Sequence, residues 1–366
     1  MTDHTRRQFV AATTLASVAS ALIPRHAGAA PSPKAAPLLL DYNESPYGPS
    51  AAALAAMGDG AQRSGRYEYE QQLRLIDVFA RQNHVPADHV KAYCGSRQPL
   101  QFALAVARKG SVVTAAPTYD SVAAGAKSLG NRVHEVALDE RHAHDVRAML
   151  AAEQAPGLIY VCNPNNPTGT LTPHEDLRYL AAHTPPGSLL LIDEAYIHFS
   201  DAPSCIELAM AHGNVLVLRT FSKLYGMAGA RLGLAIGKPA LLARLEAYNG
   251  RNFVPLPTAL GAIASLQDPH LVEQRKATNA QVLASTLATL RQAGLRCTEA
   301  QANCFMVDLG KPVQPVIAAL AQRGVKVGRP FSAWPNWLRV TVGTGEQMQR
   351  FLAQFLALSS PAAPLA

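Results

Sequence analysis

The sequence predicts an α/β protein with a mostly parallel sheet covered by helices on both faces, followed by a smaller α+β C-terminal domain. From residue 90 to about residue 249, short apolar runs that end in small or polar residues alternate with stretches long enough for a helical crossover. This alternation is typical of βαβ units. After residue 249 the alternation stops, and a long helical stretch precedes short strands. A chain of 366 residues, 48% of them hydrophobic, can bury two such cores.

Seven segments are predicted as strands of the large sheet. Most are almost continuously apolar, as expected for strands that are buried on both faces. They are residues 90–94, 111–115, 132–137, 158–162, 189–192, 215–218 and 232–236. Because helical stretches lie between them, neighbouring strands should be mostly parallel. These helices are predicted at residues 99–108, 119–129, 173–183 and 239–248, and several have a proline in the first turn.

The remaining elements predict the domain boundaries. Beyond residue 249, a helix is expected over 269–293, and strands are expected over 304–309, 325–327 and 337–342. We therefore predict a large domain at 66–249 and a small domain at 250–358. The flanking segments are an N-terminal arm and linker at 30–65 and a tail at 359–366 that is rich in alanine and proline.

The N-terminus has the features of an export signal. Arg6 and Arg7 precede a moderately apolar run, residues 11–23, that is too short to span a bilayer. Small residues at 27–29 then fit a signal peptidase site. We expect a twin-arginine signal peptide at 1–29 and a periplasmic protein that crosses the membrane already folded. The alternative is a basic tail in which the two arginines are adjacent by chance.

Charge and cysteine content argue against several classes of protein. The net charge is +7, or +5 without the predicted signal, and no block of lysine and arginine is present, so nucleic-acid binding is not indicated. Contact with a membrane is expected only during export. The five cysteines show no C-x-x-C spacing, so neither a zinc site nor a disulfide framework is predicted, and no metal is expected.

Residues that can bind ions or react follow five of the predicted strands. Ligands of open parallel sheets bind beyond the carboxyl ends of the strands, where loops and helix N-termini meet. Residues at these ends should therefore converge in the fold. They are residues 95–96, 117–119, 163–169, 193–196 and 220–223.

Together these residues satisfy the requirements of a phosphorylated pyridine aldehyde. Such a group needs an amine, an acid beside its ring nitrogen, donors for its phenolate oxygen and a phosphate cup. Lys223 supplies the amine, and Asp193 follows an apolar strand, where a buried carboxylate requires a cationic partner. Asn166 and Tyr196 can donate to the phenolate oxygen, and Tyr119 can lie against the ring.

Donors beside a predicted helix N-terminus can form the phosphate cup. They are Gly95, Ser96, Thr220, Ser222 and Arg231. Taken singly, these signals are weak. Lys223 could be a surface lysine, Asp193 could cap a helix, and residues 163–169 could be an ordinary turn.

Several motifs carry a family resemblance. The runs N-P-N-N-P-T-G at 163–169, D-E-A-Y at 193–196 and T-F-S-K-L-Y-G-M-A-G-A-R-L-G at 220–233 resemble fold-type I aminotransferases of classes I and II. The histidinol-phosphate aminotransferase branch is similar in three further places. These are N-E-S-P-Y-G-P at 43–49, R-Y at 66–67 and W-L-R-V-T-V-G-T at 337–344. The resemblance covers about residues 38–356.

The resemblance implies pyridoxal 5′-phosphate as cofactor. Lys223 would hold it as a Schiff base and shuttle protons, with Asp193 at the ring nitrogen and Tyr119 stacked on the ring. Asn166 and Tyr196 would contact the phenolate oxygen. The residues implied around the phosphate are Ser96, Arg97, Thr220, Ser222 and Arg231, together with Tyr67 of a neighbouring subunit in a homodimer.

The resemblance also implies where the substrate binds. Arg339 would bind the α-carboxylate of an amino acid or 2-oxo acid, since a planar guanidinium can bind a carboxylate through two hydrogen bonds. Asn43, Tyr47 and Arg329 are the other predicted substrate-binding residues.

Two positions depart from the family pattern. Arg97 stands where the family usually has an acidic residue, and the residues that follow Arg329 differ from those beside the branch's phosphate-binding arginine. Arg97 could contact the phosphate, reach an anionic substrate or point into solvent. An exported enzyme also fits cytoplasmic histidine biosynthesis poorly, so another primary amine, such as an aromatic amino acid, is expected.

The sequence therefore predicts an aminotransferase that moves an amino group from an amino acid or related amine to a 2-oxo acid. The same machinery supports oxidation, decarboxylation or elimination of an amino acid, because the ring stabilises whichever carbanion forms. A periplasmic amine-binding protein without turnover is a further alternative.

Overall fold

The computed structural model describes residues 36–107, 110–250 and 252–359. The predicted signal peptide at 1–29 and residues 360–366 of the predicted tail lie outside this part of the chain. The strands are β1 (Leu38–Leu40), β2 (Val90–Tyr93), β3 (Val112–Ala116), β4 (Val133–Ala137), β5 (Leu158–Cys162), β6 (Leu189–Asp193), β7 (Val215–Thr220), β8 (Gly233–Ile236), β9 (Arg296–Cys297), β10 (Cys304–Asp308), β11 (Val325–Val327) and β12 (Trp337–Thr341).

The helices lie between these strands and after the last of them. They are α1 (Ala51–Gln62), α2 (Glu70–Gln82), α3 (Arg97–Val106), α4 (Ser121–Ser128), α5 (Val146–Ala151), α6 (His174–His183), α7 (Ile206–Ala211), α8 (Pro239–Glu246), α9 (Leu256–Gln267), α10 (Leu271–Gln292), α11 (Gln314–Gln322) and α12 (Gly345–Ser359). None of the helices in the described part of the chain is both long enough and apolar enough to cross a membrane.

A seven-stranded sheet in the order β2-β8-β7-β6-β5-β3-β4 forms the centre of the larger part. Strands β4, β3, β5, β6 and β7 are parallel, and β8 is antiparallel to both of its neighbours. Every residue of β5, β6 and β7 is buried, as their continuous apolar sequences indicate. The prediction of a mostly parallel sheet with a smaller C-terminal domain is confirmed.

The connection before β8 contains no helical crossover, in agreement with its antiparallel direction. Residues 221–232 link β7 to β8 without a helix. A parallel neighbour would need a crossover, usually a helix, that returns the chain to the opposite end of the sheet. The chain instead turns back at the carboxyl end of β7, so the whole connection, including Lys223 and Arg231, stays at that end.

Two hydrophobic cores are present. One surrounds the large sheet, and the other contains Leu38 and Leu40 of the N-terminal arm together with residues of α10, α11, α12 and β10–β12. Strand β1 pairs in parallel with β11, so the arm joins the second core. The first core extends past the predicted boundary at residue 249, because α9 contributes Ala259, Ala262, Ile263 and Leu266 to it. Helix α9 also packs on α1 and α2.

The loop at residues 163–169 connects the two cores. The Thr298 hydroxyl donates to the Thr168 carbonyl at 2.6 Å, and the Gln301 N–H donates to the Gly169 carbonyl at 2.7 Å. Gly169 has φ +73°, and a Cβ there would lie 2.4 Å from the Cys304 carbonyl oxygen. Only glycine fits such a close approach of two backbones.

A buried ion pair between Glu194 and Arg219 joins the ends of β6 and β7. The Arg219 Nε lies 2.7 Å from Glu194 Oε2, and both side chains are almost fully enclosed. The Ser204 hydroxyl donates to the same carboxylate at 2.8 Å, and the Cys205 N–H donates to its other oxygen. Charges buried in this way need several partners. The pair lies directly beside Asp193 and Thr220, and so it holds the two strand ends that carry them.

Candidate active site

A cavity of about 770 Å³ opens at the carboxyl ends of β5, β6 and β7. It brings together most of the residues that the sequence predicted for the site. These are Asn43, Ser96, Arg97, Tyr119, Asn166, Asp193, Tyr196, Thr220, Ser222, Lys223, Arg231, Arg329 and Arg339. Residues from both cores and from the N-terminal arm line it.

Two predicted residues lie outside this cavity. Tyr47 lines a separate, smaller cavity with Arg275 and Asn303. Tyr67 is 88% exposed and touches neither cavity. Such exposure is what a residue requires if it acts at a neighbouring subunit.

Asp193 is buried at the end of β6 with two hydrogen-bond donors. The Tyr160 hydroxyl donates to Oδ2 at 3.1 Å, and the Ala195 N–H donates to Oδ1 at 3.1 Å. Burial raises the pKa of Asp193 to about 6, while these two donors and nearby Lys223 act in the opposite direction. The carboxylate therefore lacks enough positive charge, and a protonated ring nitrogen would supply it.

Tyr160 is a functional residue that the sequence reasoning missed. Burial, and then the charge of Asp193, raise its pKa well above the usual range, so its hydroxyl stays protonated and donates. A signal was present, because Tyr160 interrupts the otherwise apolar strand Leu-Ile-Tyr-Val-Cys two residues from its end. A buried tyrosine hydroxyl needs a partner.

Lys223 lies in the turn after β7. Its Nζ donates to the Tyr42 carbonyl at 3.0 Å and is 5.6 Å from the ring centroid of Tyr196. Burial lowers the pKa of Lys223 to about 8, and the charge of Arg339 acts in the same direction. A lowered pKa increases the fraction of neutral amine near pH 7, and the neutral amine is the nucleophile.

Asn43 organises the two predicted phenolate donors. Its Nδ2 donates to Tyr196 Oη at 3.1 Å and to Asn166 Oδ1 at 3.4 Å. Arg339 Nη1 donates to the same Asn166 oxygen at 3.0 Å. Because Asn166 Oδ1 accepts twice and Tyr196 Oη accepts once, Asn166 Nδ2 and the Tyr196 hydroxyl proton are left to donate to the cofactor. Asn43 is buried and has φ 54°.

Arg339 extends into the cavity from the middle of β12. Beyond its bond to Asn166, it donates from Nη2 to the Asp41 carbonyl. A guanidinium has five N–H donors, and the described residues accept hydrogen bonds from only two of them. The remaining donors suit a carboxylate.

Gly95, Ser96 and Arg231 form a positively charged site, called the cradle below, where α3 begins. Gly95 has φ +87°, and a Cβ there would lie 2.4 Å from Arg231 Nη2. A Cβ on Gly233 would lie 2.1 Å from the Ser96 N–H nitrogen. The two glycines thus let the Arg231 guanidinium lie against the helix N-terminus, which itself attracts anions. Arg231 adopts φ 63°, which is unusual for a residue with a side chain and is typical of functional positions.

Two of the three hydroxyl residues of the predicted cup, Thr220 and Ser222, differ in their hydrogen bonds. Thr220 donates to the Leu232 carbonyl at 3.2 Å and accepts from the Ser222 N–H at 3.1 Å. Its hydroxyl thus holds the turn, although the residue lines the cavity. The Ser222 hydroxyl has no such bond among the described residues. The residues present therefore fit a phosphorylated pyridine aldehyde, with the cradle for its phosphate and Asp193 for its ring.

Comparison with known proteins identifies a family. The sequence profile described as aminotransferase class I and II matches residues 38–355. The histidinol-phosphate aminotransferase of Symbiobacterium thermophilum is 35% identical over 319 residues, which are 86% of this chain and 88% of that protein. The same enzyme of Bacillus subtilis strain 168 is 32% identical over 323 residues, 86% of this chain and 89% of that protein.

The fold has a counterpart among solved structures. Histidinol-phosphate aminotransferase from Sinorhizobium meliloti, in complex with pyridoxal-5′-phosphate, has a TM-score of 0.81 to this chain. It is 24% identical, and the match covers 88% of this chain and 90% of that one. At this identity the likeness concerns the fold.

The raised pKa of Asp193 predicts that the free energy of unfolding of the cofactor-free protein decreases as the pH rises. The shift from 3.8 to about 6 means that the folded state gains from a neutral Asp193 at low pH and loses this advantage as the pH rises through 6. Asp193→Asn should therefore raise the free energy of unfolding of the cofactor-free protein by about 3 kcal/mol at pH 8 and change it little at pH 4. Urea denaturation at both pH values measures the difference.

The control is Asp59→Asn, which alters an exposed acid on α1. It should have a small effect at either pH. An equal effect of Asp193→Asn at pH 4 and pH 8 would contradict the assignment of a buried, cation-seeking carboxylate. In the holoenzyme the same variant should bind the cofactor more weakly, because a neutral amide cannot stabilise a protonated ring nitrogen.

Proposed function

The chain belongs to the class I and II aminotransferase family and is a pyridoxal-phosphate-dependent aminotransferase; from this premise we propose that Lys223 carries the cofactor and that the amino donor is an α-amino acid. The observation that carries the proposal is the convergence of three groups in one cavity. They are the amine of Lys223, which has a lowered pKa, the buried carboxylate of Asp193, and the guanidinium of Arg339, which has free N–H donors.

The bound cofactor supplies an electron-withdrawing ring that stabilises negative charge at the α-carbon of the substrate. Asp193 maintains this property by keeping the ring nitrogen protonated. Arg339 binds the α-carboxylate and so fixes the orientation of the α-carbon. The Lys223 amine, with its pKa near 8, can accept a proton at the α-carbon and release it again.

The remaining cavity residues keep the cofactor in place. Asn166 and Tyr196 would donate to its phenolate oxygen, and Tyr119 would lie against its ring. The cradle at Gly95, Ser96 and Arg231 would bind its phosphate, and Arg97 would add a further positive charge at the same helix N-terminus.

Replacement of Lys223 tests the proposal directly. Borohydride reduction should link the cofactor covalently to the wild-type protein and not to Lys223→Ala, and intact-protein mass spectrometry reports the link. Amino transfer should fall by at least about a thousandfold. The assay uses a panel of amino donors with 2-oxoglutarate and pyruvate as acceptors, and it also measures ammonia and peroxide, which oxidation or elimination would release.

The matched control is Lys276→Ala, since Lys276 is paired with Asp201 outside the cavity. A borohydride-stable link that persists in Lys223→Ala would overturn the assignment of the lysine.

We also propose that the active enzyme is a homodimer. Large apolar and aromatic side chains are exposed along the N-terminal part of the chain, among them Tyr42, Leu54, Tyr67, Tyr69 and Leu73. Large apolar side chains that are exposed in a single chain favour an interface. Tyr42 also lines the cavity, so such an interface would lie beside the site.

Subunit mixing tests the homodimer. Tyr67→Ala and Lys223→Ala should each have low activity alone. After unfolding and refolding together, half of the dimers are mixed and have one intact site, so activity should return to about a quarter of the wild-type value. Mixing Lys223→Ala with itself is the control. No recovery in the mixture, or a monomer by light scattering, would contradict a site shared between subunits.

We further propose that residues 1–29 export the folded enzyme to the periplasm. The arginine pair, the short apolar run and the small residues before position 30 support this proposal. Arg6→Lys combined with Arg7→Lys should leave the protein in the cytoplasm, as measured by cell fractionation and immunoblotting. Arg25→Lys, which changes a third arginine of the same segment, should be exported normally. Equal distribution of the two variants would count against this pathway.

A further inference from the structure

Two charged residues on the solvent side of the cavity form an ion pair between distant parts of the chain. Asp120 immediately precedes α4, and Arg329 lies two residues after β11. Arg329 Nη2 donates to Asp120 Oδ2, across a separation of 209 residues. Both residues line the cavity, and their side chains are 49% exposed for Arg329 and 60% for Asp120.

The Arg329 guanidinium is already paired with an anion, Asp120. Its Nη1 donates to the Pro330 carbonyl at 2.9 Å, and its Cζ lies 4.3 Å from the ring centroid of Phe331. The Cζ of Arg339 lies 5.6 Å from the same ring. Phe331 thus lies within reach of both arginines, between the carboxylate position and the Asp120–Arg329 pair. Val327 and Ile317 add apolar surface to this part of the cavity.

Some charged residues of the cavity are assigned to the cofactor or to the α-carboxylate of the substrate, and the others are assigned to neither. Lys223, Asp193, Arg97 and Arg231 serve the cofactor, and Arg339 serves the α-carboxylate. The charged residues that remain are one base and three acids: Arg329, Asp41, Glu44 and Asp120. Among these four, Asp120 is the acid that is paired with Arg329.

We propose that Asp120 is a specificity-determining residue that neutralises Arg329 and makes the cavity select amino donors with an uncharged, apolar or aromatic side chain over donors with an anionic one. A distal phosphate or carboxylate would have to displace Asp120 from Arg329 and then lie beside the Asp120 carboxylate. An uncharged side chain would leave the Asp120–Arg329 pair intact. The inference rests on the proposed function, because it assigns the α-carboxylate to Arg339.

The test compares two ligands that differ only in the charge at one end. Glutarate has two carboxylates, and glutaramate has a carboxamide in place of one of them. Binding of each to the holoenzyme is measured by calorimetry, so the result does not depend on turnover. In the wild type, glutaramate should bind more tightly than glutarate.

Asp120→Asn should tighten glutarate binding about fivefold and change glutaramate binding less than about twofold. The variant should fold, because the Asp120 side chain makes no capping hydrogen bond to α4 and asparagine is equally suited to that position. Arg329→Gln added to Asp120→Asn should abolish the gain in glutarate affinity, because it removes the freed guanidinium.

Asp77→Asn is the matched control. It also removes one negative charge from an exposed ion pair, but Asp77 does not line the cavity. It should change neither affinity by more than about twofold.

Three results would overturn the inference. They are tighter wild-type binding of glutarate than of glutaramate, an equal effect of Asp120→Asn on both ligands, and an effect of Asp77→Asn as large as that of Asp120→Asn. Failure of the proposed function is distinct. It would appear as normal binding selectivity in an enzyme that transfers no amino group from any donor in the panel.

Discussion

The burial of one carboxylate without an adequate cation is the constraint around which the site is built. Asp193 ends a strand whose residues are all buried, and it is held by one tyrosine hydroxyl and one backbone N–H. Such a group is costly until a positive charge reaches it. The Glu194–Arg219 pair beside it is, by contrast, already neutralised. The charge of Glu194 is therefore balanced within the protein, whereas the charge of Asp193 is balanced only by the cofactor.

Backbone topology places the other groups around this carboxylate. The link between β7 and β8 contains no helix and keeps Lys223 and Arg231 at one end of the sheet. Gly95 and Gly233 allow the helix N-terminus and the Arg231 guanidinium to lie close together. The N-terminal arm adds Asn43, which orients both phenolate donors. Strands, turns and arm therefore each contribute a different part of the chemistry.

Much of this could be predicted from the sequence, for a physical reason. Buried parallel strands are apolar along their length, so their ends, and with them Asp193 and Lys223, are visible in the local pattern. Contacts between distant segments are not visible in the local pattern. Asn43 bonds to residues 123 and 153 positions away, Asp120 meets Arg329 across 209, and α9 belongs to the first core because of what it packs against. The local periodicity of apolar residues does not show which distant residues are in contact.

The pairing of β1 with β11 has a consequence for the timing of folding. Leu38 pairs with Val325, 287 residues later in the chain. At the usual pace of translation, roughly half a minute separates the synthesis of these two strands. The second core, and with it the position of Arg339, can form only when nearly the whole chain has left the ribosome. Once Ile236 has been synthesised and until residue 339 follows, the chain contains every strand of the large sheet and Lys223 but not the arginine that would orient a substrate.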